Sequence, residues 1–204
     1  MKYLNALNKI SGVGPQKFRL LLNFFGDSES IWKAGLEELR AAQIGDKLAK
    51  KVFAEKMTLE PDMEWERMKK ENIRMITSED PFYPRLLKES ANPPYLIYMK
   101  GDAALLGDPA PMVSIVGSRK FTTYGAQAAE TLARDLANAG VTIVSGMALG
   151  IDTFAHRGAL GAGGKTIAVL GNSLDDKNIY PRNNFNLSRD ILENGLLLSE
   201  YPLE

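Results

Sequence analysis

Apolar residues recur at helical spacing through the first 58 positions. Tyr3, Leu4, Leu7 and Ile10 share one helix face, and Phe18, Leu21, Leu22 and Phe25 share another. Ser11-Gly12-Val13-Gly14-Pro15 interrupts the period between them, and Gly26 stands where a helix-ending glycine belongs. Two more helices are predicted, near 29–41 and 46–57, separated at Ile44-Gly45-Asp46.

The texture changes after this. Met63 to Glu71 has helical spacing, and Ile73-Arg74-Met75-Ile76 reads as a short strand. Pro81, Pro84, Pro93 and Pro94 then break regularity before a second strand, Tyr95 to Met99. From 111 onward, short apolar runs alternate with amphipathic stretches. Strands are predicted at Met112–Val116, Val141–Val144, Thr166–Leu170 and Leu196–Leu198. Helices are predicted at Tyr124–Ala139, with Leu132 and Leu136 on the apolar side, at Ile151–Leu160 and at Asn184–Glu193. Continuous apolar strands between helices imply a parallel sheet covered on both faces. The fold class is therefore α/β: a Rossmann-like, doubly wound, mostly parallel sheet preceded by a small all-helical domain. The expected organisation is a helical domain over 1–60, a connector extending the sheet domain over 61–110, and the Rossmann-like domain over 111–204.

Composition narrows the function classes. The chain has 204 residues, 45% hydrophobic, with 25 Lys/Arg against 25 Asp/Glu, so coating of nucleic acid by bulk charge is excluded. The balance is uneven: residues 1–58 carry net +4, 59–110 net −3 and 111–204 net −1. An anion site in the last segment must be local and shaped. With no cysteine and one histidine, His156, the sequence offers neither a thiolate nucleophile nor a multi-histidine metal site. No apolar leader follows Lys2 and no run approaches membrane-spanning length, so a soluble cytoplasmic protein without membrane contact is expected.

In a parallel sheet, ligands bind beyond the carboxyl ends of the strands. The candidate loops there are Gly117-Ser118-Arg119-Lys120, then Ser145-Gly146-Met147-Ala148-Leu149-Gly150, and the stretch from Gly171 to Arg182 and Phe185. Glycine lets main-chain N–H groups approach an oxygen, a following helix start adds partial positive charge, and Arg119 and Arg182 can fork onto phosphate. Ser118 and Ser145 offer hydroxyl donors. These residues are the candidate phosphate and DNA contacts; the glycines read equally well as tight turns.

Familiar nucleotide motifs fail. Gly164-Lys165-Thr166 lacks the upstream glycine of a P-loop, where Ala159 stands, and no G-x-G-x-x-G follows the first parallel strand. Asp152 and His156 are spaced i, i+4 after the second loop. They read as a hydrogen-bonded pair that pins the loop or as an acid/base pair; without a nucleophile signature the first is preferred.

Val116-Gly117-Ser118-Arg119, Tyr124-Gly125, Ser145-Gly146-Met147-Ala148-Leu149-Gly150-Ile151-Asp152 with Ala155-His156, Gly164 to Gly171, Tyr180-Pro181 and Leu198-Ser199-Glu200-Tyr201-Pro202 together resemble the DprA/Smf family of DNA-processing proteins in natural transformation. The resemblance covers about 95–202, and its S-G-x-A-x-G-I-D-x-x-A-H run is highly specific. The helical start is similar to the sterile-alpha-motif-like or helix-hairpin-helix domain of such proteins. The resemblance implies a non-enzymatic single-stranded DNA binder, without cofactor or metal, that protects incoming strands, loads RecA onto them and forms homodimers. By resemblance the DNA pocket takes in Gly117–Arg119, Ser145–Gly150 and Arg182. Phe185 is either a base-stacking ring or a core residue, and Gly12 and Gly14 are a possible second DNA contact.

Departures are Asp176-Lys177-Asn178 after the third strand, and the lack of the family's F-P-x-R-N-R segment beyond Glu204. The resemblance therefore implies a chain truncated at its C-terminus, with part of the dimer surface, RecA contacts and pocket outside it. An alternative is a nucleotide-binding or nucleotide-hydrolysing enzyme of the same superfamily, although its P-G-G-x-G-T-x-x-E motif is absent. A nucleotide-sensing scaffold is a third reading.

Overall fold

The computed structural model describes residues 1–107 and 110–204; Asp108 and Pro109, at the end of the expected connector, lie outside the described residues. The chain divides into two compact units. One comprises Met1–Glu71, Met75–Ile97 and Tyr201–Glu204; the other comprises Asn72–Arg74 and Tyr98–Glu200.

The first unit carries helices α1 (Lys2–Lys9), α2 (Pro15–Phe25), α3 (Ser28–Lys33), α4 (Leu36–Ala41), α5 (Asp46–Glu55) and α6 (Pro61–Lys70), and the short α7 (Arg85–Lys88). Leu7, Phe18, Leu21, Ile31, Leu39 and Val52 are fully buried from their apolar faces. The single helix expected over 29–41 is two. Asp27 caps α3 by accepting the N–H groups of Glu29 and Ser30, and Ala34 and Gly35 are extended. Glu38 then accepts the Gly35 N–H at 2.7 Å and starts α4 afresh. The buried Lys56 ammonium donates to the carbonyls of Trp32 and Ala34 where α3 ends, and desolvation pulls its pKa down. Phe18 stacks on Tyr95 with ring centroids 5.4 Å apart.

The strands are β1 (Arg74–Thr77), β2 (Leu96–Gly101), β3 (Met112–Ser114), β4 (Thr142–Ser145), β5 (Thr166–Leu170) and β6 (Leu196–Ser199), in the sheet order β1-β2-β6-β5-β4-β3. β3, β4, β5 and β6 run parallel; β2 pairs antiparallel with β6, Tyr98 opposite Ser199. Helices α8 (Thr123–Asn138), α9 (Ile151–Gly161) and α10 (Phe185–Asn194) connect the parallel strands.

The inner face of α8 departs from expectation. It is lined by Ala126, Ala129, Ala133 and Ala137, while Leu132 is 53% exposed. The reason is the closeness of α9. Ala133 and Ala137 share a core with Ile143, Ala155 and Ala159, and a side chain at Gly158 would run into the Glu130 carbonyl. Small residues fill the close approach of the two helices, the partly buried Leu136 packs beside them as expected, and only Leu132 is left to solvent.

Candidate functional site

Because β3, β4 and β5 are parallel, the loops after them leave from one sheet edge. Loop 1 runs from Ile115 to Thr122, loop 2 from Gly146 to Gly150 and loop 3 from Gly171 to Pro181.

Loops 1 and 2 are tied together by Asp152 in the first turn of α9. Its carboxylate, nearly buried, accepts the Gly117 N–H at 3.3 Å through one oxygen, and the Gly146 and Ala148 N–H groups at 3.1 and 3.4 Å through the other. The glycine-loop amides expected to meet an incoming anion are thus already on a carboxylate of the chain itself. The reason is local: a carboxylate at a helix start reaches back to the same donors that would cradle phosphate. Gly150 closes the junction at φ +95°, and a Cβ there would collide with the Ser118 carbonyl and lie 2.9 Å from the Arg119 Cα.

The serine hydroxyls are also committed. Ser145 donates to the Ile115 carbonyl at 2.6 Å, and Ser118 donates to the Lys120 carbonyl at 2.7 Å while accepting the Lys120 N–H. Each hydroxyl has a single proton, so neither serves as the free donor expected. Met147 is buried at φ +57°, and its carbonyl accepts the Asn184 side-chain amide at 2.8 Å. The same Asn184 nitrogen reaches Thr153 Oγ1 at 2.8 Å, and Thr153 donates to the Ala148 carbonyl. Asn184 and Asp152 therefore fix loop 2 from two directions.

His156 does not join this lock. It is buried, and its Nδ1 lies 2.7 Å from Thr166 Oγ1, the Thr166 hydroxyl donating in turn to the Ile143 carbonyl. That commitment makes His156 the donor at Nδ1 and leaves Nε2 as a buried atom without a partner. Desolvation lowers its pKa to about 4. The expected Asp152–His156 pairing, as loop pin or as acid/base couple, is replaced by two separate attachments, because Asp152 turns to the loop amides and His156 to the start of β5.

An open cleft of about 300 Å³ lies at this edge, lined from loops 1 and 2 by Arg119, Gly146, Ala148 and Leu149, and from loop 3 by Gly171, Asn172, Tyr180 and Pro181. Arg119 and Lys120 are exposed and make no ion pair among the described residues. Arg182 is held differently: it donates to the Asp176 carbonyl at 2.6 Å, and its guanidinium sits 4.2 Å from the Phe185 ring centroid. Asp176, an unexpected insertion by the family pattern, also pairs with Lys100 at 2.9 Å and Arg189 at 3.3 Å. Asp175 is buried and accepts from Ser173 and Asn178, which builds the turn.

Leu149 lies within the expected Ser145–Gly150 pocket, and Asn172, Tyr180 and Asn184 lie within the third candidate loop, where only Arg182 and Phe185 are singled out as contacts; an asparagine just before a helix signals a side chain turned to backbone, and Asn172 carries no such signal.

In the first unit, the hairpin expected to bring Gly12 and Gly14 toward DNA lines a second cleft, of about 450 Å³, through Ser11 and Gly12. Lys17, Lys47 and Lys51 give it a mainly basic rim in which Asp46 also stands, with Lys51 bonded to Ser11, and Gly14 does not line it. Among the described residues no group of three or more metal-ligating side chains occurs, and no helix is long and apolar enough to cross a membrane.

Comparison with known proteins agrees with this architecture. Protein Smf of Synechocystis is 38% identical over 204 residues, covering 98% of this chain and 51% of that protein. DNA processing protein A of Streptococcus pneumoniae, in a solved structure, superposes with a TM-score of 0.75 at 31% identity, covering all of this chain and 70% of that one. The Helicobacter pylori protein, solved for its single-stranded DNA binding mode, has a TM-score of 0.56 at 39% identity, over 65% of this chain and 57% of its own. The chain thus spans about half the length of the curated relative it matches end to end. With residues 74–204 matching the family's sequence profile, the chain belongs to the DNA recombination-mediator protein A family, which includes the DprA and Smf DNA-processing proteins.

Proposed function

We propose that the carboxyl edge of the parallel sheet binds the phosphodiester backbone of single-stranded DNA, protects the strand and presents it for RecA loading, without catalysing a reaction. The observation that carries this reading is Arg119, exposed and without an ion pair among the described residues, on the rim of the cleft between loops 1, 2 and 3. A fork of donors with no ion pair among the described residues, in a nearly neutral segment of net charge −1, supports a local anion site there. The single-stranded DNA binding of the Helicobacter pylori relative supports the choice of ligand.

Lys120 and Arg182 would add to the field, and Gly117, Ser118, Ser145, Gly146, Met147, Ala148 and Gly150 act by shaping the loops that carry Arg119. Titration with labelled oligo-dT, single- against double-stranded, tests the reading: tighter, salt-sensitive binding of the single strand is expected, and binding of a mononucleotide with turnover instead would replace it with the enzyme alternative. RecA loading is tested by filament assembly on strands already holding this protein, and the homodimer by sedimentation.

A further inference from the structure

The cleft of the helical unit has no part in the reading above, which rests on Arg119. It lies in the segment 1–58 that carries net +4, where the bend at Ser11-Gly12 meets the start of α5. Gly12 turns there at φ +101°, so close to Leu48 that a Cβ would lie 3.2 Å from its Cδ1. Gly45, at φ +95°, starts α5 without a side-chain cap. Ser11, Gly12 and Gly45 carry little or no side chain, so a bulky group can come down onto the main chain and the first-turn N–H groups of α5.

Much of the positive charge at this cleft is uncommitted. Asp46 is the one carboxylate that lines it, and Arg40 and Lys50 already hold it, each at 2.8 Å. Lys51 is bonded to Ser11 and stands 3.6 Å from Glu55. Lys17, half-buried on α2, and Lys47, exposed on α5, make no ion pair among the described residues. Lys47 and Lys51 are one turn apart, a like-charge spacing that weakens a helix and that an anion beside them would relieve. The lining of about 450 Å³ contains no aromatic ring, so it offers a phosphate charge and small residues to lie against, but a base nothing to stack on.

We propose that this cleft is a second nucleic-acid site, which holds the phosphodiester backbone on Lys17 and Lys47 and takes duplex as readily as single strand. A site without a stacking ring gains nothing from unpaired bases, and both forms present the same phosphates.

The test titrates the full chain with a blunt DNA duplex, by fluorescence anisotropy at several salt concentrations, in the Arg119→Ala background so that the carboxyl-edge cleft contributes least. Adding Lys17→Ala with Lys47→Ala is expected to weaken duplex binding by roughly 10-fold or more and to lower the log–log salt slope by about 1.8, for two phosphates on B-DNA. Lys69→Ala with Lys70→Ala removes the same charge from α6 and is expected to change the slope little. Unchanged melting temperatures show that the variants fold. Equal losses in the two double variants would reduce the effect to net charge and overturn the proposal, as would unchanged duplex affinity and slope without Lys17 and Lys47. Duplex binding abolished by Arg119→Ala alone would place all the nucleic acid at the carboxyl edge and overturn it too. Loss of poly-glutamate binding in the Lys17/Lys47 variant, with duplex binding kept, would assign the cleft to an acidic protein segment instead.

Discussion

The side-chain amide of Asn184 donates to the main-chain carbonyl of Met147 at 2.8 Å, across 37 residues of sequence. Met147 is a non-glycine residue in the left-handed region with its side chain fully buried, a conformation that persists only where surroundings enforce it. Asn184→Ala leaves that carbonyl and the Thr153 hydroxyl short of a partner. The expected loss is about 1–3 kcal/mol of folding stability, read by urea unfolding, with weakened oligo-dT binding as loop 2 loosens.

Asp152→Asn keeps shape and removes charge. Its amide sets N–H groups against at least one of the Gly117, Gly146 and Ala148 amides that the carboxylate accepts. Charge-assisted bonds of this kind contribute about 1.5–3 kcal/mol each before non-additivity, so a loss of roughly 2–3 kcal/mol in urea unfolding is expected.

His156 makes stability depend on pH. Its folded pKa of about 4 lies below the ordinary 6.5, so the unfolded chain binds the proton first. Stability is fully present above 6.5 and falls as pH drops from there toward 4, by up to about 3 kcal/mol at roughly 1.4 kcal/mol per unit. As the chain's one histidine, it has this window largely to itself, and in His156→Gln the decline between pH 6.5 and 4.5 should flatten.

Arg119→Ala is expected to weaken single-stranded DNA binding by about 1–3 kcal/mol, equally for all base sequences, and to lower the log–log salt slope by about 0.7 for each phosphate that the guanidinium neutralises. Arg182→Ala should cost less, because that guanidinium is already shared between the Asp176 carbonyl and the Phe185 ring. Equal losses would show that Arg182 leaves both partners when DNA binds.

The basic rim around Ser11, Gly12 and Gly45 is tested by Lys17→Ala with Lys47→Ala. With phosphates in that cleft, the double variant should lose about 1.4 in salt slope on single strands while Arg119 is intact. An unchanged slope would assign the helical unit to another role.

Much of this was legible in the chain. The parallel strands are short apolar runs between helices, and the loops at Gly117 and Gly146 follow from their glycines. What was hidden depended on long-range partners. The spacing of Asp152 and His156 is that of a helical pair, and only the fold shows one facing loop amides and the other Thr166. Leu132 fits an apolar stripe by period, yet the nearness of α9 selects alanines for the inner face. Ser118 and Ser145 have the composition of ligand donors, but their protons go to backbone oxygens that the linear sequence does not place.

The outward turn of Leu132 has a practical consequence for spectroscopy. A chain without cysteine accepts one engineered thiol without competition, and position 132 carries it on the solvent side of α8, away from the alanine seam. A dye or spin label placed there would ride on a helix that begins just after loop 1, and would report strand arrival through a scaffold whose packing leaves it little freedom to drift.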